Sequence, residues 1–388
     1  MWKFWICDSI TGVKLREVFP EDGTWKTLMN GVGSGNHTFS MADEVERLVA
    51  NGMPRSAATE EVRTVWPELL DPDGWKPALV VCWGDVPVYA GLLQRQVGAG
   101  ATNKVTVNHV EVRALMDERL MHPVGDPTRG NFVLFGVNAR TAAAQIIRKA
   151  LGPYLNGWDF RPRWDVRLTP YTPEPGTFEM PVKAFEVQNG EQLLTLIQDD
   201  EGGPDIHFRP RWRESDQGLE WEDRRGSPRL SAGTHEFVIG AEENGASDVS
   251  FITDAKNQAT GAHVVGKGTE EDMRRGWGTE QLPLGTGWLL DKVLSLKHIS
   301  DPLTLDSHGR AFVKAHKHAT RQFSMSVRAD GSPSGGLLGP TAAQIMPGTV
   351  MRVLPSNSLI LRDEWLDGYV IGVSGDMGMD LKLDFQEV

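Results

Sequence analysis

Three consecutive acidic side chains, Asp199-Asp200-Glu201, lie at the end of a predicted helix. Carboxylates at a helix C-terminus oppose the helix dipole, so this group could hold a cation or form an acid–base pair. The glycine turn Gly202-Gly203 follows at once. We therefore predict that these carboxylates are solvated residues that leave the helix before the turn.

A group of histidines occurs in the last third of the chain. On a helix, His308 and His316 would lie near one face but about 12 Å apart along the axis, and His316 and His318 would point in different directions. A single metal ion would need further ligands, so we predict surface or packing roles and no metal site. The histidines considered are His298, His308, His316 and His318.

Arginines alternate with tryptophans in the middle of the chain, a mixture that can bind nucleic acid or sugar. The whole chain has 40 basic and 52 acidic residues, a net charge of −12, which argues against a nucleic-acid-binding surface. We therefore predict that arginines stack on tryptophans and cover a small sheet. The residues are Arg161, Arg163, Arg167, Arg209, Arg211 and Arg213, with Trp158, Trp164, Trp212 and Trp221.

The sequence contains no HExxH, P-loop, GxSxG or CxxC motif. Cys7 and Cys82 each lie in an apolar, strand-like run, so we predict buried thiols, and a disulfide only if their strands are neighbours. We predict no catalytic, cofactor-binding or metal-binding residues and no cofactor. We also expect no membrane span, since no run of about 18 apolar residues occurs, and no signal peptide.

A similar strand pattern occurs near both ends of the chain. His37-Thr38-Phe39-Ser40-Met41 and Gln322-Phe323-Ser324-Met325 each precede an insertion, an apolar strand, a turn with glycine and a further pair of strands. The later strands are predicted at 77–83, 89–93 and 104–112 in the first copy, and at 347–354, 366–373 and 379–385 in the second. The pattern predicts two related β-modules.

Other elements follow from periodicity and from end signals. Residues 52–76 are predicted as an extended surface loop with one helical turn at most. The remaining predictions are a hairpin at 2–7 and 13–19, helices at 43–50, 138–151 and 190–199, a hairpin at 205–212 and 218–222, strands at 234–240, 247–253 and 259–268, a polar segment at 269–287, and a helix from 305 or 307 to 320.

The middle region resembles the minor tail proteins of siphophages that infect actinobacteria, the tail-hub family related to the central hub of contractile-phage baseplates. The resemblance rests on Gln192-Leu193-Leu194, Gly203 to Trp212, Leu219-Glu220-Trp221 and Gly226 to Leu230. Asp8 to Gly12, Gly31 to Gly35, Pro347 to Val350 and Asp367 to Asp376 also fit the type. The resemblance covers most of the chain, whereas residues 52–76 and 269–287 match no feature of the family.

The resemblance implies a mainly β fold with α/β insertions, in which two related small β-barrel domains of the hub type are joined by a mixed α+β middle region. The first barrel would occupy 1–118, with strands from 234–268 available to complete it. The other expected divisions are a middle domain at 119–233, connecting strands and loop at 234–299, and the second barrel with its preceding helix at 300–388.

The resemblance also implies a structural, non-enzymatic role at the tail tip of the virion. Two barrels in each chain of a homotrimer would form a pseudo-sixfold ring that adapts the sixfold tube to the threefold tip and gates DNA release. The implied partners are the distal tail protein ring, the tape-measure protein and other tail-tip or fibre proteins, with DNA only in passage. The alternatives are a receptor- or carbohydrate-binding tail protein and a cell-wall-degrading enzyme.

Overall fold

The computed structural model of the protein describes residues 1–121, 131–151, 168–200, 202–239, 245–279, 287–297, 299–331, 339–356 and 358–387. Within these ranges β-strands predominate, which confirms the expectation of a mainly β chain. The strands are β1 (Trp2–Asp8), β2 (Lys14–Val18), β3 (Asp22–Leu28), β4 (Ser34–Ser40), β5 (Pro77–Trp83), β6 (Val86–Ala99), β7 (Lys104–Glu111), β8 (Phe132–Val137), β9 (Phe178–Val182), β10 (Ile206–Trp212), β11 (Leu219–Arg225), β12 (Thr234–Ile239), β13 (Ala246–Asp254), β14 (Gly261–Val265), β15 (Arg275–Thr279), β16 (Asp291–Ser295), β17 (Thr320–Arg328), β18 (Val350–Pro355), β19 (Leu366–Asp376) and β20 (Asp380–Glu387).

Helices are inserted between these strands. The α-helices are α1 (Met41–Ala50), α2 (Arg55–Leu69), α3 (Leu115–Glu118), α4 (Ala139–Leu151), α5 (Gly190–Gln198) and α6 (Pro302–His316). Short 3-10 turns occur at Asp73–Trp75, Val112–Ala114, Ala184–Glu186 and Glu270–Asp272. Among the helices of the described ranges, none combines the length and the apolar content needed to cross a bilayer.

One 13-stranded sheet contains strands from both ends of the chain. Its order is β13-β17-β20-β19-β3-β4-β7-β6-β5-β1-β2, and β18 pairs with both β19 and β12. In the part of the chain that the structure describes, no ladder joins β2 to β3 or β12 to β13, so neither half forms a closed barrel. The two expected small β-barrel domains are therefore open sheets in these ranges, because their terminal strands do not pair with each other. β19 extends beyond β18, and this part of β19 pairs with β3, so that the two modules share one sheet.

Two parts of this sheet repeat one strand order. The first module is β1-β5-β6-β7-β4-β3, and the second module is β12-β18-β19-β20-β17-β13. The strands also follow one another along the chain in the same sequence in both modules. Neighbouring strands are antiparallel throughout, except that β12 runs parallel to β18 whereas β1 runs antiparallel to β5. Strands β12 and β13, predicted as connecting strands, therefore pair within the second module.

The repeat extends to the register of the strands. The β6–β7 ladder shifts at Gln94, between Leu93 and Arg95, and the β19–β20 ladder shifts at Ile371, between Val370 and Gly372. A β-bulge changes the local twist and the direction of side chains, so a bulge at the same place is a specific feature. Alignment of the bulges makes Gly91 equivalent to Gly368, Gly98 to Gly375, and His109 to Phe385.

The glycines support this alignment. A Cβ atom on Gly91 would lie 2.6 Å from the His109 ring, and a Cβ atom on Gly368 would lie 2.7 Å from the Phe385 ring. The same close approach of a ring to a strand backbone therefore occurs in both modules, at equivalent residues.

The Phe-Ser-Met pattern that suggested the repeat lies out of register. Phe39 pairs with Val105 near the start of β7, whereas Phe323 pairs with Phe385 near the end of β20. The β4–β7 and β17–β20 ladders make Phe39 equivalent to Val327 of the second module. The modules are alike in topology and register, but this motif is not their common part.

The prediction of a loop at 52–76 is wrong, because residues 55–69 form α2. Its buried residues Ala58, Val62, Trp66 and Leu69 lie on one helical face and pack in the core of the first module. Pro67 falls in the last turn. The helix begins directly after Pro54, which has no side-chain cap.

The helices predicted at 43–50, 138–151 and 190–199 correspond to α1, α4 and α5, whereas α3 was not predicted. Asn138 accepts a hydrogen bond from the Thr141 N–H at the start of α4, and Asn189 forms a capping box at the start of α5. Helix α6 starts and ends earlier than predicted, since Asp301 caps its N-terminus and Thr320 already belongs to β17. Part of the segment 269–287 forms β15, and its residues 280–286 lie outside the described residues.

Two hydrophobic cores lie on opposite faces of the first module. One core joins both modules and contains Phe4, Trp25, Phe323 and Phe385. The other packs α4, α5, β10 and β11 against alternate residues of β1, β5 and β6. Strand β5 is therefore covered on both faces, which explains its unbroken apolar run.

Candidate functional site

The two modules meet where β19 extends beyond β18. Gly372–Asp376 pair antiparallel with Thr24–Leu28, so that Gly375 lies opposite Trp25 and Ser374 opposite Lys26. This ladder is the module joint. It makes the sheet continuous from one module to the other by backbone hydrogen bonds.

Trp25 is the principal apolar side chain of the module joint, with 2% of its surface exposed. Its ring centroid lies 5.9 Å from those of Trp2 and Tyr89. A Cβ atom on Gly375 would lie 3.0 Å from the Trp25 ring. The missing side chain at Gly375 lets the indole lie directly on the backbone of the second module.

An ion pair links the modules beside this ring. Lys26 Nζ lies 2.8 Å from Asp384 Oδ2, and the Ser324 hydroxyl donates a hydrogen bond of 2.6 Å to Asp384 Oδ1. Burial disfavours the ionised carboxyl, but the hydrogen bonds from Lys26 and Ser324 outweigh it, so the pKa of Asp384 falls below its usual value. Asp384 is thus held as an anion at the module joint.

A buried polar network continues from the joint into the middle region. The Thr27 hydroxyl donates to Glu111 Oε1 at 2.5 Å, and the Gly33 N–H donates to Glu111 Oε2 at 2.7 Å. Burial raises the pKa of Glu111 to about 7, although these hydrogen bonds oppose the shift. Thr27 Oγ1 also lies 3.0 Å from His207 Nε2 on β10. With the Thr27 hydrogen donated to Glu111, His207 donates from Nε2, and its Nδ1 accepts from Arg224 at 3.4 Å. Burial lowers the pKa of His207 well below its usual value, so the ring is neutral.

A histidine pair lies inside the first module. Tyr89 Oη is 2.8 Å from His109 Nδ1, and His109 Nε2 is 2.9 Å from His37 Nδ1. Burial lowers the pKa of His37 to about 4 and lowers the pKa of His109 well below its usual value. Both imidazoles are therefore neutral at pH 7. His37 Nε2 is buried without a hydrogen-bond partner among the described residues.

The equivalent positions of the second module are apolar. The ladders make Met325 equivalent to His37, Phe385 equivalent to His109, and Leu366 equivalent to Tyr89. The same sheet framework therefore holds a polar interior in one module and an apolar interior in the other.

The predicted acidic and histidine groups do not form a metal site in the described ranges. No group of three or more His, Cys, Asp or Glu side chains there could hold a metal ion. Asp199 ends α5, and its pKa is raised by burial, while the nearby His308 and His316 act in the opposite direction. Glu201 and His298 lie outside the described residues.

The arginines of β10 pair with carboxylates and not with tryptophans, which corrects the predicted stacking. The β10–β11 register places Arg209 opposite Glu222 and Arg211 opposite Glu220, with N–O distances of 3.9 and 2.6 Å. Trp212 is covered by Lys14, whose Nζ lies 3.8 Å from the ring centroid. Arg161, Arg163, Arg167, Trp158 and Trp164 lie outside the described residues.

Cys7 and Cys82 are buried free thiols on neighbouring strands. Cys7 lies opposite Ala78, and Cys82 lies opposite Lys3, so the two thiols do not face each other. Burial raises the pKa of each thiol to about 12. Their role is to fill the core between the first module and the middle region.

Two solved structures share this architecture along almost their whole length. The tail protein from Neisseria meningitidis MC58 aligns with a TM-score of 0.53 at 11% identity, over 99% of this chain and 96% of that chain. The 43 kDa tail protein of prophage MuSo2 from Shewanella oneidensis aligns with a TM-score of 0.55 at 12% identity, over 100% of this chain and 98% of that chain. The fold is that of these two tail proteins. No family model and no curated protein sequence matches the chain.

Proposed function

We propose that this protein is the structural hub of a phage tail tip, a minor tail protein of a siphophage with an actinobacterial host. The observation that carries the proposal is the duplicated module, with one strand order and one bulge position repeated in a chain that has a tail-protein fold. Three copies of the chain would present six similar modules. This number matches a ring that must meet a sixfold tube on one side and a threefold tip on the other.

The module joint supports the ring arrangement. Within one chain, the second module already binds the first through paired strand edges. A closed ring of identical chains repeats one contact around the symmetry axis, so the joint provides every second contact of a six-module ring. The proposed hub domains are the first module, within 1–118, and the second module, which consists of 300–388 together with β12 and β13. The middle region lies between them in the chain.

The hub lies at the tail tip of the virion, between the distal tail protein ring and the tape-measure protein on one side and tip or fibre proteins on the other. It gates DNA release and carries out no catalysis. The net charge of −12 suits a channel through which DNA slides, because carboxylates repel phosphate.

The mass of the purified protein in solution tests the proposal. Light scattering coupled to size exclusion is expected to give a mass three times the 42.9 kDa of the chain. The measurement should cover a range of protein concentrations, since association follows mass action. A protein that stays monomeric at every concentration, including the high local protein concentration of a tail tip, would contradict a hub that trimerises through its own contacts.

A second function, carbohydrate binding, is favoured by one exposed surface. The strand registers place Trp277, His263 and Val293 in a row on one face of the β15-β14-β16 sheet, and all three are exposed. Exposed aromatic side chains on a flat sheet suit the apolar face of a sugar ring. Binding of host cell-wall glycans that is lost on Trp277→Ala would favour this second function, whereas a trimer without glycan binding favours the hub.

A further inference from the structure

Within the described ranges, each module has an unpaired strand edge whose equivalent in the other module belongs to the module joint. Beyond the bulge at Gln94, β6 pairs with β7 on one side, and no strand of the described ranges pairs with its other side. The equivalent stretch of β19 is the one that β3 occupies at the module joint. Strand β13, the equivalent of β3, pairs with β17 on one side only, in the same described ranges.

The joint inside the chain predicts how these two edges would meet. The β3–β4 and β13–β17 ladders make Phe251 equivalent to Trp25, because Gly35 and Phe323, their partners, are equivalent. The antiparallel register of the module joint can therefore be transferred residue by residue to β6 and β13.

We propose that β6 of one protomer pairs antiparallel with β13 of the next protomer, and that this contact alternates with the module joint around the ring. The inference rests on the proposed trimeric hub and identifies its subunit interface. The transferred register places Arg95 opposite Asp254, Val97 opposite Ile252, and Gly98 opposite Phe251.

The side chains on the two edges are complementary in this register. Val97 and Ile252 are apolar residues with 45% and 68% of their surfaces exposed, and pairing would cover both. Arg95 and Asp254 are exposed and of opposite charge. Unpaired strand edges are templates for another strand, and these pairs select this partner and this register.

Gly98 provides an independent match. A Cβ atom on Gly375 would meet the Trp25 ring inside the chain, whereas a Cβ atom on Gly98 has no atom within 4 Å. In the transferred register this open space lies opposite Phe251 of the neighbouring protomer. A glycine faces an aromatic ring at the module joint, and the same pair of residue types is present on the two unpaired edges.

Cysteine cross-linking tests the register directly. In the module joint the Met29 N–H donates to Ile371 O, so these two residues form a hydrogen-bonded pair. Hydrogen-bonded and non-hydrogen-bonded pairs alternate along an antiparallel ladder. Lys26 and Ser374, three residues further along the ladder, are therefore a non-hydrogen-bonded pair. Ile252 and Val97 are their equivalents, and side chains of such pairs approach closely enough for a disulfide. The variant Val97→Cys/Ile252→Cys is expected to give covalent dimers and trimers on mild oxidation. The native thiols Cys7 and Cys82 are buried and do not compete.

Matched variants separate the interface from other causes of cross-linking. Val97→Cys/Val293→Cys carries a cysteine at another exposed apolar strand residue and is expected to stay uncross-linked. Gly98→Leu is expected to keep the melting temperature of the monomer, because the new side chain meets nothing within the chain, but to lose the trimer.

The outcomes distinguish this interface from the proposed function. Covalent trimers from the Val97/Ile252 pair alone, together with a monomeric Gly98→Leu variant, support the interface. A trimer that forms without this cross-link, or that survives Gly98→Leu, overturns the β6–β13 interface and leaves the hub intact. A wild-type chain that remains monomeric contradicts the hub and the interface together.

Discussion

Replacement of Trp25 by alanine is expected to lower the free energy of unfolding by about 3–5 kcal/mol, the usual cost of truncating a buried aromatic residue. The loss should be near the upper end of this range, because the indole also fills the contact between the two modules. Trp2 and Tyr89 would lose their aromatic neighbour, and the backbone at Gly375 would face a cavity. Urea denaturation of the purified variant measures the change.

Trp288→Ala is the matched control. Trp288 has 88% of its surface exposed, so its truncation should change the free energy of unfolding by less than about 0.5 kcal/mol. If Trp25→Ala and Trp288→Ala were equally stable, the module joint would not be the packed contact described above.

Acidification is expected to destabilise the protein through its buried histidines. The folded-state pKa of His37, about 4, is lower than the usual 6.5 because burial penalises the charged ring. The stability that the neutral ring contributes is complete above pH 6.5 and is lost as the pH falls towards 4. For His37, a pKa difference of this size between the folded and unfolded states corresponds to about 3 kcal/mol of unfolding free energy. The pKa of His109 shifts in the same direction.

The double variant His37→Met/His109→Phe isolates this effect, since it copies the equivalent residues of the second module. Glu111 acts in the opposite direction, because its raised pKa stabilises the fold at low pH and that contribution is lost as the pH rises through about 7. Glu111 is present in both proteins, so the wild-type minus variant difference in unfolding free energy reports the histidines. This difference should fall by about 3 kcal/mol or more between pH 6.5 and 4. A difference that stays constant over this range would contradict the burial of these two neutral imidazoles.

Local signals in the sequence predicted several elements well. The N-cap Asn138 located the start of α4, because its side chain accepts a hydrogen bond from the first turn. The start of α5 was predicted near Gly190 without its cap, Asn189. The alternation along β10 and β11 predicted their hairpin. Helix α2 was missed because Pro54 and Pro67, at its two ends, resemble loop signals, although Ala58, Val62 and Trp66 already had helical spacing.

The repeated module was predicted, but its register was not. The order of strand, insertion and three further strands is visible in the sequence, whereas the shared bulge at Gln94 and Ile371 is defined only by strand pairing. Phe39 and Phe323 look equivalent in sequence and occupy different positions in their strands.

The polar network could not have been predicted for a related reason. Thr27, Glu111 and His207 are far apart along the chain, and nothing in the sequence around them indicates that they meet. Their contact depends on the pairing of β3, β4 and β7 within the first module and on how β10 packs against it. The joining of both modules into one sheet depends on the β3–β19 ladder, which was not predicted from the sequence either.

A cryo-electron microscopy map of the tail tip of a virion that carries this protein tests the central claim most directly. The account predicts three copies of the chain in one ring, with six β-modules around the channel and alternating β3–β19 and β6–β13 contacts. Six copies in the ring, or a position in a peripheral fibre with no ring of modules around the channel, would contradict it.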